Sequence, residues 1–162
     1  MVGIRGIACI LAASLFCLAA CQQTTPRLTD EQVASLREGL PGISEQCLQM
    51  ARDGGVEAIP SAVDQCFKMT PSQHWHGLWR DDFEGRRFCP APARQCSIET
   101  PGPKIWPRFK DEKRPIGNQA TGKLYAVEFI GRRTQSPGAH GHMAQSEHAI
   151  LIDQLLAISP VD

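Results

Sequence analysis

The sequence lacks the short motifs that identify most nucleotide-binding and hydrolytic enzymes. It contains no G-x-x-x-x-G-K-[ST] phosphate loop, no G-x-G-x-x-G fingerprint and no G-x-S-x-G nucleophile elbow. It also has no H-E-x-x-H pattern and no C-x₂-C pair, which argues against a four-thiolate zinc site. No motif in the chain therefore assigns a reaction.

The chain also lacks an excess of charge of either sign. Its 17 Lys and Arg residues balance 17 Asp and Glu residues, so composition predicts no nucleic-acid partner. Neither internal repeats nor low-complexity tracts occur, and the length of 162 residues suits one domain with a modest core. The one long apolar run, near the start, is too short for a permanent helix across a bilayer of about 30 Å.

That apolar run has the layout of a bacterial export signal. Arg5 precedes Ile7 to Phe16, and Leu18-Ala19-Ala20-Cys21 follows. The segment resembles a bacterial lipoprotein precursor; the alternative is an uncleaved anchor helix. The resemblance implies cleavage by signal peptidase II before Cys21, lipidation of Cys21 and attachment to a membrane through the lipid. Gln22, in place of an aspartate, resembles the sorting signal for the outer membrane, which implies a protein that faces the periplasm.

The cysteines fit an oxidising compartment. Of seven cysteines, two lie in the leader and Cys21 is the lipidation site, which leaves an even set. The remaining four are Cys47, Cys66, Cys89 and Cys96. They predict two disulfides and allow three pairings, of which proximity in sequence favours Cys47–Cys66 and Cys89–Cys96.

The segment that follows the leader predicts three short helices. Thr29 opens a capping box with Gln32, and a Pro-Gly pair ends that helix. Ser44 is the predicted cap of a second helix, and Ser61 begins another capping-box pattern for a third. A disulfide between the second and third helices makes this segment a crosslinked helical cap.

The remainder of the chain is rich in glycine and proline and predicts short strands. The first two expected strands are 78–84 and 87–89, with a turn at Gly85 between them. A short strand starts at Ile105 and stops before Pro107, and a longer one covers 123–133. The last expected strand is 149–158, whose length also permits a helix. Such strands favour a small closed barrel, because closure removes exposed edges, whereas a sandwich needs more strands. We therefore expect an α+β fold with an OB-like antiparallel barrel.

These observations divide the chain into four segments. The expected boundaries are 1–20 for the signal peptide, 21–28 for a lipidated tether, 29–72 for the helical cap and 73–162 for the barrel domain.

The strongest candidate for a metal site is the glycine-rich segment 136–148. It holds His140, His142 and His148, three of the five histidines of the chain. His-x-His can present two imidazoles to one metal, with His148 or Glu147 as a third ligand and water as the fourth. The alternative is a tight loop whose histidines form local hydrogen bonds. His74-x-His76 repeats the spacing elsewhere in the chain.

Arginine pairs and aromatic residues suggest a ligand site of another kind. Arg132 and Arg133 can clamp a phosphate or carboxylate, and Trp79 can stack on a ligand. Arg86 and Arg87 form a second pair. The alternative is that the aromatic residues fill the core and the arginines are solvated. Asp81-Asp82-x-Glu84 matches no calcium loop and indicates a charged strand edge.

A second resemblance covers the C-terminal half. Gly77 to Gly85, Tyr125 to Thr134 and Gly141-His142-Met143 are similar to a group of small uncharacterised bacterial envelope proteins. The expected function is a lipid-anchored envelope lipoprotein with a non-enzymatic binding or scaffolding role, without a cofactor, whose partner is an envelope protein or a glycan. The alternative is a metal-dependent periplasmic hydrolase that uses the histidine cluster and zinc.

Overall fold

The structure is a computed structural model that describes residues 27–82, 85–110 and 122–161. Cys21, the predicted leader and most of the predicted tether lie outside these residues. The described elements are α1 (Asp30–Gly39), α2 (Glu45–Gly54), α3 (Val63–Cys66), β1 (Gln73–Asp81), β2 (Arg87–Pro90), β3 (Ile105–Phe109), β4 (Lys123–Arg133) and β5 (His148–Pro160), with single 3₁₀ turns at Val56–Ala58 and His142–Ala144. No helix within these ranges is long and apolar enough to cross a membrane.

The five strands form one closed barrel in the order β1-β2-β3-β5-β4, with β4 paired back onto β1. The pairing of β3 with β5 is parallel and the other pairings are antiparallel. The expected α+β class with a small OB-like barrel is thus confirmed, with one parallel pair where only antiparallel pairs were expected. The segment from 149 to 158 is a strand, as favoured.

Alternation along the strands fills the barrel. In β4 every second side chain from Tyr125 to Phe129 is buried, while the residues between them are half-buried. All five strands contribute to the core, which consists of Trp79, Phe88, Ile105, Tyr125, Val127, Phe129, Ile150 and Ile152. Phe88 packs edge-on against Phe129, with 5.0 Å between ring centroids. This apolar core is the main source of the barrel's stability.

Three of the sequence-based boundaries are wrong. The first strand, expected over 78–84, starts five residues earlier at Gln73 and ends at Asp81. The third strand does not stop before Pro107 but continues through it to Phe109. β2 pairs with β3 only at Phe88 and Ile105, so Pro107 has a paired neighbour on one side, β5. Such an edge-type position tolerates a residue that cannot donate a backbone hydrogen bond.

The third helix also differs from its predicted start. It is a single turn capped by Ala62, with no side-chain capping bond, so Ser61 does not form a capping box. The Ser61 carbonyl instead accepts a hydrogen bond from the Arg108 guanidinium on β3.

The helical cap has a small core of its own. The predicted N-caps of the first two helices are confirmed, because Thr29 forms a capping box with Gln32 and Ser44 accepts a bond from the Cys47 amide. The buried side chains of this core are Val33, Ile43, Cys47, Leu48 and Cys66. The Cys47–Cys66 disulfide is formed and joins α2 to α3, as predicted.

The cap docks on the barrel through α3 and the chain after it. Val63 packs against Ala149 and Leu151 of β5. Residues 67–70 then run beside the end of β4, where the Thr70 amide donates to the Arg133 carbonyl at 2.7 Å. The cap therefore has a defined position on the barrel wall.

Arg87 organises the loop that follows β2. Its side chain is buried and donates to the backbone carbonyls of Ser97, Ile98, Thr100 and Gly102. Burial lowers the pKa of the Arg87 guanidinium. The predicted Cys89–Cys96 disulfide closes the same loop. Arg87 is therefore committed to loop structure and is not available to clamp a ligand.

Removal of either disulfide is expected to destabilise a different part of the fold. Replacing Cys47 and Cys66, which are 19 residues apart, with alanine should lower the free energy of unfolding by about 3 kcal/mol, because it releases a closed loop in the unfolded chain. The Cys89 and Cys96 pair, 7 residues apart, should cost about 2.5 kcal/mol. Urea denaturation measures both losses. Native-state hydrogen exchange should increase in the cap for the first variant and in the 91–104 loop for the second; the opposite assignment would contradict this account.

Candidate binding groove between cap and barrel

A groove lies between the helical cap and the outer face of the barrel. It consists of two adjoining cavities of about 450 Å³ and about 540 Å³ that share Ser61, Val63 and Arg108. We call it the cap–barrel groove; Ser61, Val63 and Asp64 line its cap side, while Arg86, Trp106, Arg108, Lys110, His140 and His142 line its barrel side. Its size suits a small ligand.

Strand β3 provides the floor of the groove by alternation. Ile105 and Pro107 are buried in the barrel, whereas Trp106 is half-buried and Arg108 is exposed on the outer face. Lys110 follows Arg108 with the same spacing and is also exposed. Residues two apart on a strand lie about 7 Å apart on the same face. An indole and a cation thus lie in a row on the outer face of β3, and a second cation, Lys110, follows just beyond the end of the strand.

The indole of Trp106 is held in place from the barrel side. Gly141, in the loop between β4 and β5, has a φ of +76° and lies so close to Trp106 that a Cβ atom there would collide with the indole ring. The Arg86 guanidinium carbon lies 5.4 Å from the centre of the same ring, a cation–π contact. Glycine at position 141 is therefore required both by the backbone and by the ring.

Arg108 ties the two walls of the groove together. One of its terminal nitrogens donates to the Ser61 carbonyl of the cap. Within the described part of the chain, neither Arg108 nor Lys110 forms a salt bridge. By contrast Asp64, the carboxylate on the cap side, accepts a bond of 3.2 Å from Arg132. The groove therefore carries a local excess of positive charge.

His140 lies at the inner end of the groove and is only 6 % exposed. Its ring packs edge-on against Phe67 with centroids 4.9 Å apart. Among the described residues, its Nε2 atom is buried without a hydrogen-bond partner. Burial, reinforced by the nearby His148 and Arg108, lowers the pKa of His140 to about 4. The imidazole is thus neutral at physiological pH.

The structure does not gather the predicted metal ligands. The Nδ1 atom of His148 lies 3.2 Å from the Thr134 hydroxyl and 3.1 Å from the Thr134 carbonyl. Burial lowers the pKa of His148. His142 is exposed at the surface, while His140 is packed on Phe67. Across residues 27–82, 85–110 and 122–161, no three His, Cys, Asp or Glu side chains are placed to share a metal ion.

The structure places the other predicted ligand residues away from the groove. Trp79 is 2 % exposed and belongs to the barrel core, so it offers no surface for stacking. Arg132 forms a bidentate pair with Asp153. The side-chain Nε of Arg133 is buried, and its backbone amide donates to the Thr70 hydroxyl. None of these three side chains lines the cap–barrel groove.

Trp106, Arg108 and Lys110 were not predicted from the sequence to line one site together. The period-two pattern through Ile105-Trp106-Pro107-Arg108 contains the signal, but the assumption that Pro107 ends the strand concealed it. The contribution of Ser61 and Val63 has no sequence signal, because it depends on how the cap docks.

No family model, no curated protein and no solved structure matches this chain. The function of the groove has to be inferred from its own side chains.

Replacing Arg132 with glutamine is expected to loosen the cap. Arg132 bonds to Asp153 at 2.8 Å and to Asp64 at 3.2 Å, so its loss should lower the free energy of unfolding by about 1 to 3 kcal/mol. The Arg132 guanidinium lowers the pKa of Asp153. The difference in free energy of unfolding between the variant and the wild type should therefore be largest above pH about 4. It should shrink as the pH falls through the lowered pKa of Asp153.

The matched control for that variant is Arg37→Gln, which removes the exposed Arg37–Glu45 pair. This variant should lower the free energy of unfolding by less than about 1 kcal/mol. Denaturation curves at pH 7 and pH 3 measure both variants; equal losses for the two arginines would contradict the structural role of Arg132.

Replacing His140 with glutamine is expected to change how stability depends on pH. A histidine whose pKa falls from 6.5 to about 4 on folding destabilises the fold progressively as the pH drops between these values. The loss should be about 3 kcal/mol in the wild type. His140→Gln should lose this component, whereas the exposed control His142→Gln should retain it. Urea denaturation measures the free energy of unfolding at each pH from 7 to 4. The prediction is refuted if this free energy falls with pH equally in the wild type and in His140→Gln.

Proposed function

We propose that this protein is a lipoprotein of the bacterial cell envelope, anchored through Cys21 at the outer membrane and facing the periplasm, and that its role is to bind a ligand rather than to catalyse a reaction. The observation that carries the binding role is the cap–barrel groove, in which Trp106 and Arg108 share the outer face of β3 and Lys110 lines the groove just after the strand ends. The favoured ligand is a glycan of the envelope, and the other candidate is an envelope protein.

Two features support the envelope location. The leader and the Leu18-Ala19-Ala20-Cys21 sequence fit a lipoprotein precursor. Both disulfides, Cys47–Cys66 and Cys89–Cys96, fit a chain that folds outside the cytosol. By sequence, only residues 22–28 separate Cys21 from the cap of the first helix, so a short tether would hold the groove near the membrane.

The construction of the groove supports binding. Its two walls belong to different parts of the fold and are fixed together by the packing of Val63 on β5 and by the bond from Arg108 to Ser61. A cleft whose walls are already joined loses little conformational entropy when a ligand enters. Its aromatic surface and exposed cations supply the apolar contact and the orienting polar groups that small-molecule sites combine.

The anchor is tested by replacing Cys21 with serine in a Gram-negative host that is fed alkyne-labelled palmitate. The wild type should carry the label, lose residues 1–20 and sediment with outer membranes. Cys21→Ser should remain unlabelled and keep its leader, as intact mass spectrometry measures. Cys17→Ser, which lies within the leader, is the control and should be labelled like the wild type. Label on Cys21→Ser would refute the assignment.

The binding role is tested by hydrogen exchange on the purified lipoprotein in a non-ionic detergent. Two glycan preparations serve as probes: soluble fragments of digested peptidoglycan and core oligosaccharide from lipopolysaccharide. At least one should slow exchange in residues 60–64, 105–109 and 139–142, which line the groove. Gly141→Ala should abolish this protection, because the added methyl group displaces Trp106. Absence of protection by both probes would remove the support for a glycan ligand.

A further inference from the structure

We propose that the cap–barrel groove selects sugars that carry a negatively charged group, with the sugar ring against Trp106 and a carboxylate or phosphate held by Arg108 and Lys110. This inference rests on the proposed binding function and names the class of ligand. The juxtaposition that carries it is one half-buried indole and the exposed Arg108 on the same strand face, with the exposed Lys110 directly after the strand.

The charge of the groove differs from that of the chain as a whole. The chain is formally neutral, yet the described lining contains one carboxylate, Asp64, and three cations: Arg86, which pairs with Asp81, and Arg108 and Lys110, which form no salt bridge within the described residues. Asp64 is already bonded to Arg132. Charges of one sign within a cleft focus the electrostatic potential there and raise the local concentration of oppositely charged ligands. The groove is thus built to attract an anion.

Arg108 has the geometry to hold that anion. Its bond to Ser61 uses one terminal nitrogen and fixes the guanidinium between the cap and β3. A guanidinium has five N–H donors in a planar fork, so most of them remain for a second partner. Carboxylates and phosphates accept two such bonds at once, which gives both affinity and orientation. Lys110, directly after β3, lines the same part of the groove as Arg108 and adds a second positive charge.

Trp106 supplies the surface for the ring of the sugar. Its ring is held by Gly141 and lies beside the Arg86 guanidinium, so the indole and a third cation are adjacent. Arg86 also bonds to Asp81 at 3.3 Å, which keeps it near the ring. The C–H face of a pyranose packs on such an aromatic plane, and small barrels bind oligosaccharides on this type of outer face. A charged sugar therefore matches both the indole surface and the cations of the groove.

A single-stranded nucleic acid is a poorer match. Proteins that bind single strands offer successive aromatic platforms along a basic groove, one for each stacked base. The described lining of the cap–barrel groove contains one tryptophan together with Arg108 and Lys110, which fits one ring with one charged group. A nucleic acid ligand is accordingly an outcome of the test and not the proposal.

The test compares sugars that differ in charge. The purified lipoprotein in non-ionic detergent is titrated by calorimetry with N-acetylmuramic acid, which carries a carboxylate, with N-acetylglucosamine 6-phosphate, and with neutral N-acetylglucosamine. At least one charged sugar should bind about tenfold or more tightly than the neutral one, the effect of one charge-assisted pair. Preference for the carboxylate points to peptidoglycan as the source, and preference for the phosphate points to lipopolysaccharide.

Three variants locate the effect. Arg108→Gln should reduce the affinity for the charged sugar about tenfold more than the affinity for the neutral sugar. Lys110→Gln should cause a smaller loss of affinity for the charged sugar. Lys110 forms no salt bridge within the described ranges, so this variant should leave the cap in place. It therefore tests the role of charge even if Arg108→Gln loosens the cap. Arg94→Gln removes an exposed arginine outside the groove and should have no effect. Thermal denaturation checks that each variant is folded.

The outcomes separate the inference from the function on which it rests. If the neutral sugar binds as tightly as the charged ones and protects the groove from exchange, the charge selectivity is wrong and the binding function stands. If no glycan protects the groove, the glycan ligand of the proposed function fails, and this inference fails with it. If a single-stranded oligonucleotide binds the groove in preference to every sugar, or if Arg94→Gln weakens binding as much as Arg108→Gln, the inference is overturned.

Discussion

The packing of α3 on β5 is the contact on which the groove depends. Val63 lies against Ala149 and Leu151, and this small apolar contact fixes the distance between the helical cap and the outer face of β3. The Arg132–Asp64 pair and the bond from Arg108 to Ser61 flank it. Without this docking, Trp106 and the cations beside it would lie on an open strand face. With it, they lie in a cleft with two walls.

The position of α3 in turn depends on covalent and backbone constraints, because a single helical turn has no stability of its own. The Cys47–Cys66 disulfide fastens its C-terminal end to α2. The backbone bonds between residues 67–70 and the end of β4 fix the chain that leaves it. The cap thus contributes to the site by holding α3 in a fixed position against the outer face of the barrel.

The sequence predicted those parts of the fold that local chemistry determines. The bounds of β4 and the N-caps at Thr29 and Ser44 were predicted correctly, because alternation and capping act within a few residues. The site was not predictable in this way. Whether His140 meets His142 and His148, or whether Arg132 meets Asp153, is decided by how distant segments pack. Trp79 shows the same limit, since alternation places it on one face of β1 and only barrel closure makes that face the inside.

The arginines of the barrel fall into two groups that have different physical roles. The guanidinium groups of Arg87 and Arg132 bond within the chain, to four backbone carbonyls and to two carboxylates respectively. Their charges are therefore part of the fold's own stability. Arg108 is exposed and has one bond to a carbonyl, so most of its donors face the groove. A neutral chain thus combines internal pairing of its structural cations with exposed cations where the cleft opens, and this separation supports the anionic ligand proposed for the groove.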